Sequence, residues 1–335
     1  MHWMFSSLRM AAPLAASKPP QRRWLFFALI ASITGALWMP AASSLAQAAG
    51  TSPAQSEAIP QTVYFSSADG KTRLTGYLSL PAGPGPHPAI VLLHGRAGPY
   101  SSNVNAQCTQ VGPNIASACN AGALTLRHRA WARYWNGRGY LALHVDSFGP
   151  RGVAHGFGRH THGAPERAAV NELDVRPLDA EGALAWLAVR DDVAPGRIML
   201  QGWSNGASTA LNVMIRQARR AADGHVPAFA AALAFYPGCG PRALLSQAPR
   251  IDRPLQVLLG SADEEVSAAA CERVLQHVEL AVGTPAPVVT TYAGATHDFD
   301  DPGRTRQALE ANRVARGDAM ARLGDWLDKV PPAQP

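Results

Sequence analysis

Residues 197–215 read RIMLQGWSNGASTALNVMI, and this stretch decides the fold. Arg197 to Gln201 is a short apolar run of strand length. Beyond it, Ala207, Ala210, Leu211, Met214 and Ile215 recur at the spacing that builds one apolar stripe on a helix. Between the two stands Gly202-Trp203-Ser204-Asn205-Gly206. A strand that becomes a helix within so few residues forces its central residue into a strained conformation. Small residues two before and two after it leave room for neighbouring backbone. Ser204 is thereby lifted above the sheet at the positive end of the following helix, where developing negative charge is favoured. A plain tight turn is the other reading of these five residues; the strand before and the helix after favour a nucleophile.

Outward from this bend, five more segments read as buried strands: Ala89–Leu93, Tyr140–Val145, Ala230–Tyr236, Leu255–Leu259 and Val288–Tyr292. Several are continuous apolar runs, the pattern of parallel strands covered on both faces. Helical patterns fall between them at Leu126–Trp135, Leu178–Val189 after Pro177, Ala268–Leu280 and Val314–Leu327. Ahead of them, Val63–Ser67 and Arg73–Leu80 suggest a hairpin turning near Asp69-Gly70. The expected fold is α/β, a mostly parallel central sheet with helices on both faces, in one domain over residues 57–330.

A serine needs a base to take its proton, and the base needs an orienting acid. Gly260-Ser261-Ala262-Asp263 and Thr296-His297-Asp298-Phe299 each follow a late strand. Ser204, Asp263 and His297 thus occur in the chain order of an α/β-hydrolase triad. Competing carboxylates are Glu264 and Glu265, read as the solvent-facing start of a helix, and Asp298, whose adjacency to His297 points it elsewhere. The oxyanion donors expected are the backbone N–H of Asn205 and that of Arg96, in His94-Gly95-Arg96-Ala97-Gly98 after an early strand.

Taken together, the chain resembles the dienelactone hydrolase family of α/β-hydrolases over roughly Ile90 to Phe299. The motifs that carry the resemblance are His94-Gly95, Asp146-Ser147-Phe148-Gly149-Pro150-Arg151-Gly152, the Ser204 bend, Tyr236-Pro237-Gly238-Cys239 and His297-Asp298-Phe299. The resemblance implies a cofactor-free hydrolase acting on a small-molecule ester or lactone. Archetypal members carry cysteine where this chain has Ser204, a departure that favours general carboxylic-ester hydrolysis over cleavage of a cyclic dienelactone. A peptidase with the same triad and a catalytically inactive binding protein on the same fold are the alternatives.

The remaining loops are read as the rim. Arg151 either pairs with Asp146 to brace its loop or binds a substrate carboxylate. Trp203, Phe148 and Phe157 either line an acyl pocket or only pack. His155, His160 and His162 lie in a glycine-rich stretch read as a mouth loop rather than a metal site. Pro99–Gly122, bearing Cys108 and Cys119, is long enough to be a lid or rim.

Composition narrows the setting. The chain has 335 residues and a net charge of +6, but Arg9, Lys18, Arg22 and Arg23 lie in residues 1–48, which hold no acidic residue. The remaining 26 basic residues face 24 acidic ones, no footprint for nucleic acid. Arg22-Arg23, an apolar run from Trp24 to Trp38 and Ala46-Gln47-Ala48 read as an export signal cleaved after Ala48, followed by a linker over 49–56. The run is shorter than the ~20 residues of a spanning helix, so membrane contact is expected only through an uncleaved leader. The expected location is periplasmic or secreted. Four cysteines suit that compartment, with Cys108–Cys119 and Cys239–Cys271 the preferred pairings; none is spaced as a zinc site.

Overall fold

The computed structural model describes residues 58–333 except 105, 160, 162, 221–226 and 248. The expected leader and linker lie outside the described residues. In chain order the elements are β1 (Gln61–Ser66), β2 (Arg73–Ser79), β3 (His87–Leu93), α1 (Leu126–Gly137), β4 (Leu141–Asp146), α2 (Arg176–Ala188), β5 (Val193–Trp203) and α3 (Asn205–Arg220). There follow β6 (Ala232–Phe235), α4 (Leu244–Gln247), β7 (Arg250–Ile251), β8 (Leu255–Gly260), α5 (Ala268–Leu275), β9 (Glu279–Leu280), β10 (Val288–Tyr292), α6 (Arg304–Gln307) and α7 (Glu310–Asp328).

Eight strands form one sheet in the order β1-β2-β4-β3-β5-β6-β8-β10. The hairpin β1–β2 and the β2–β4 pair are antiparallel; every other neighbour is parallel. The continuous apolar runs are explained by what covers them. In β3, Val91 and Leu93 face a core shared with α2 and α3, including Leu184, Leu211 and Met214. Ile90 and Leu92 face the opposite core, built on Trp131 and Trp135 of α1 and on Ala319 and Leu323 of α7. Neither face of a central strand meets water, so alternation disappears from its sequence.

Glycine at the hairpin corner has a positive φ, +71° at Gly70, as a turn there needs. One expected element is corrected. The helix over Ala268–Leu280 ends at Leu275, and Glu279–Leu280 instead pairs in parallel with Arg250–Ile251. Ala281 N–H donates to Ile251 O at 3.0 Å, so tertiary pairing overrides the apolar spacing that suggested more helix. Leu280, which extended the stripe on paper, is exposed. Both expected disulfides are formed, Cys108–Cys119 in the rim and Cys239–Cys271 between the loop after β6 and α5. No helix among the described residues is long and apolar enough to cross a membrane.

Candidate active site

Parallel strands end together, so the loops after β3, β5, β8 and β10 converge on one rim of the sheet. Ser204 sits between β5 and α3 with φ at +52°, the strained left-handed conformation its sequence context implies. The flanking glycines are sterically required. A Cβ on Gly202 would overlap the Gly206 carbonyl, and one on Gly206 would overlap the carbonyls of Leu93 and His94.

His297 lies in the loop after β10, with its Nε2 3.0 Å from Ser204 Oγ and its Nδ1 2.8 Å from Asp263 Oδ2. Asp263, in the loop after β8, takes backbone N–H bonds from Glu265 at 2.8 Å and Val266 at 2.9 Å on its other oxygen. Its carboxylate accepts from Nδ1–H, which leaves Nε2 as an acceptor for the Ser204 hydroxyl. Ser204 is only 8% exposed and His297 2%, so the hydroxyl and imidazole meet largely out of water. This arrangement can pull a proton off a hydroxyl and hold the resulting imidazolium against a carboxylate.

The Arg96 loop lies against the bend: a Cβ on Gly95 would stand 3.5 Å from Trp203 O and 3.6 Å from Ser204 Cβ. Two buried side chains fix this loop: His94, which the sequence placed in it without a role, and Arg176, which the sequence reading did not single out. His94 contacts Gly95 O through Nδ1 at 2.7 Å and accepts from Ser147 N–H at Nε2, 3.3 Å away. Burial and then the nearby Arg176 charge push its pKa well down, so it braces as a neutral ring. Arg176, at the start of α2 and fully buried, donates to His94 O at 2.7 Å and to the Asn205 side-chain oxygen. One guanidinium therefore ties together both segments expected to supply oxyanion donors. Asn205 in turn donates to Glu172 at 2.8 Å.

Another group that the sequence reading did not single out reaches His297 through Tyr236. Asp300 is buried and accepts from Trp131 Nε1 at 2.7 Å, from Trp203 Nε1 at 2.8 Å and from the Tyr236 hydroxyl. The Tyr236 ring packs on the His297 ring with centroids 4.6 Å apart. Asp298 pairs with Arg127 at 2.7 Å, away from the imidazole, as its adjacency implied.

Several expected residues have other surroundings. Trp203 and Phe148 are fully buried and make core contacts, Trp203 with Trp131 and Phe235, Phe148 with His94 and Arg176. Phe157 packs against Phe148. Arg151 braces, but its partner is Asp179 rather than Asp146: two bonds of 2.8 Å join the pair. Asp146 is instead taken by Tyr100 at 2.6 Å and by the N–H groups of Phe148 and Gly149. Glu264 and Glu265 do not begin a helix. α5 starts at Ala268 under a Ser267 cap; Glu264 stays solvent-exposed as expected, whereas the Glu265 carboxylate turns inward. Glu264 accepts from His297 N–H at 3.0 Å. Glu265 grips Arg96 with two bonds of 3.0 and 2.8 Å and lies 3.8 Å from His297 Nε2. Of the three rim histidines, His155 contacts the Cys108–Cys119 sulfurs at 3.3 and 3.7 Å. His160 and His162 lie outside the described residues.

A family model described as the dienelactone hydrolase family matches residues 135–330, more than half of the chain. The chain belongs to the dienelactone hydrolase family. Solved structures repeat its α/β-hydrolase fold. An esterase from Thermogutta terrifontis with bound propionate superposes with a TM-score of 0.53 at 18% identity, covering 83% of this chain and 96% of its own. A putative dienelactone hydrolase from Klebsiella pneumoniae gives 0.53 at 15% identity, covering 80% and 99%. A dipeptidyl peptidase 4 from Porphyromonas gingivalis gives 0.51 at 17% identity, covering 81% of this chain but 35% of its own. No curated protein matches the sequence.

Proposed function

We propose that this member of the family is an exported serine hydrolase that cleaves carboxylic esters or lactones through an acyl-enzyme on Ser204. The observation that carries the reading is the pair of hydrogen bonds, 3.0 and 2.8 Å, joining Ser204 through His297 to Asp263. His297 takes the Ser204 proton as Oγ attacks the ester carbonyl, and Asp263 stabilises the imidazolium. The backbone N–H groups of Arg96 and Asn205 receive the oxyanion. Collapse of the tetrahedral intermediate returns the proton to the leaving alkoxide, releasing alcohol and leaving the acyl group on Oγ. Water then attacks the acyl carbonyl, giving its proton to His297 and restoring Ser204 as the acid departs. No cofactor enters these steps.

Export is supported by the two disulfides, which persist in oxidising compartments, and by the leader sequence with its Ala46-Gln47-Ala48 site. Within this reading residues 57–330 are the catalytic domain, and membrane contact is limited to an uncleaved leader. The test is turnover of short p-nitrophenyl esters by the purified protein and by Ser204→Ala. Hydrolysis by the first and a loss of at least a thousandfold in the second is the expected result. Peptide-amide turnover exceeding ester turnover, or no turnover of either, overturns it.

A further inference from the structure

Glu265 touches two places at once. On one side its carboxylate lies 3.8 Å from His297 Nε2, the nitrogen that faces Ser204. On the other it forms part of the wall of a cavity of about 550 Å³, a volume in the range of small-molecule sites. Ser208, one helical turn beyond Ser204, is on the same wall, whereas Ser204, His297 and Asp263 are not. The cavity thus comes up to the reacting pair and stops at Glu265. Much of its lining is short and apolar, with Ala164, Pro165, Ala168, Leu173 and Val266.

The Glu265 side chain is held in that place. Arg96 binds it through Nε and Nη2, and Arg159 Nε adds a third contact at 2.8 Å. Arg96 is itself anchored, donating to Phe157 O at 3.1 Å. Guanidinium–carboxylate forks of this kind fix direction as well as distance. A carboxylate so held, 9% exposed, is a wall rather than a mobile surface chain.

We infer that Glu265 is a specificity-determining residue, the partition that closes the adjoining cavity to the acyl chain of the substrate. With it in place, the chain of an acyl group on Ser204 is kept out of that cavity. Shortening it joins the cavity to the site, and the mainly apolar lining then accepts a medium-length acyl chain. The inference rests on the ester-hydrolase reading above and deepens it.

The test is kcat/KM for p-nitrophenyl acetate and p-nitrophenyl octanoate with wild type, Glu265→Ala, Ala168→Phe and the double variant. The octanoate-to-acetate ratio cancels any general loss of activity. It is expected to rise at least tenfold in Glu265→Ala and to fall back within threefold of wild type when Ala168→Phe fills the cavity. Ala168→Phe alone, at an exposed position away from the reacting groups, leaves the wild-type ratio unchanged. A ratio in Glu265→Ala within twofold of wild type overturns the partition. So does a loss of octanoate turnover in Ala168→Phe alone, which does not depend on Glu265→Ala folding. Absence of wild-type turnover of either ester fails the hydrolase reading itself, and this inference with it.

Discussion

Replacing Arg176 by Met separates holding the fold from holding the site. The substitution deletes two buried hydrogen bonds from a charged donor, to His94 O and to the Asn205 side chain. Such bonds contribute about 1.5–3 kcal/mol each. Against that stands the cost of burying the charge. Burial pulls the Arg176 pKa from the ordinary guanidinium range down to about 10, with Asp179 and Glu172 only partly offsetting it. That shift corresponds to roughly 3 kcal/mol against the folded state. The two effects largely cancel, leaving a net loss of about 0–3 kcal/mol and a Tm lower by no more than roughly 10 °C. Activity has no such compensation, because the two segments expected to form the oxyanion site lose their shared anchor. Removal of one oxyanion donor costs about 10²–10³ in kcat, so misplacement of both loops is expected to lower kcat by roughly 10–100-fold. KM should move less than threefold, since the interaction lost is made in the transition state. Arg176→Lys, which keeps the charge, should recover part of kcat. The assay is steady-state kinetics beside a thermal melt. A folded Arg176→Met protein with kcat within threefold of wild type refutes the positioning role.

Asp263→Asn should lower kcat/KM about 10³–10⁴-fold by favouring the wrong imidazole tautomer, with little change in Tm. Stability should fall steeply between pH 6.5 and about 4. His144 is pushed by burial from 6.5 to about 4, and His94 and His128 well below 6.5, so each binds a proton only when unfolded across that interval. Their stabilisation is complete above pH 6.5 and declines as pH falls toward the folded values, each by about 1.4 kcal/mol per pH unit. Urea melts across this range check it, and His144→Gln should flatten the slope by one proton. Replacing both Cys239 and Cys271 with Ser, which opens a link spanning 32 residues, should cost about 3–4 kcal/mol by chain entropy. Thermal melts without reductant measure that loss, and the double variant should lose less stability on reduction than wild type, since only the Cys108–Cys119 link is left to open.

The frame of the molecule was readable because its signals are local. The buried runs of β3, β4 and β8 and the stripe of α3 are dictated by what must be kept from water. The bend at Ser204 announces itself through two glycines whose replacement would collide with backbone. Asp263 and His297 stand out as candidates because parallel topology sends the loops after late strands to one rim. What escaped depends on contacts between distant segments. Arg176 follows no motif, and its role exists only because α2 crosses behind both the His94 and Asn205 segments. Asp300 gains its meaning from Trp131, 169 positions away in sequence. Glu265 looks like a solvent-facing residue until Arg96, also 169 positions away, reaches across to it. Trp203 and Phe148 look like pocket residues because they neighbour the site in sequence, yet both are fully buried in packing contacts, Trp203 at the end of β5 and Phe148 in the loop after β4.

The most direct measurement is mass-spectrometric mapping of the covalent adduct left by a fluorophosphonate on the folded protein. The account predicts one adduct, on Ser204, formed slowly in Asp263→Asn and absent from Ser204→Ala. An unmodified Ser204, or an adduct on another residue such as Ser208, contradicts it.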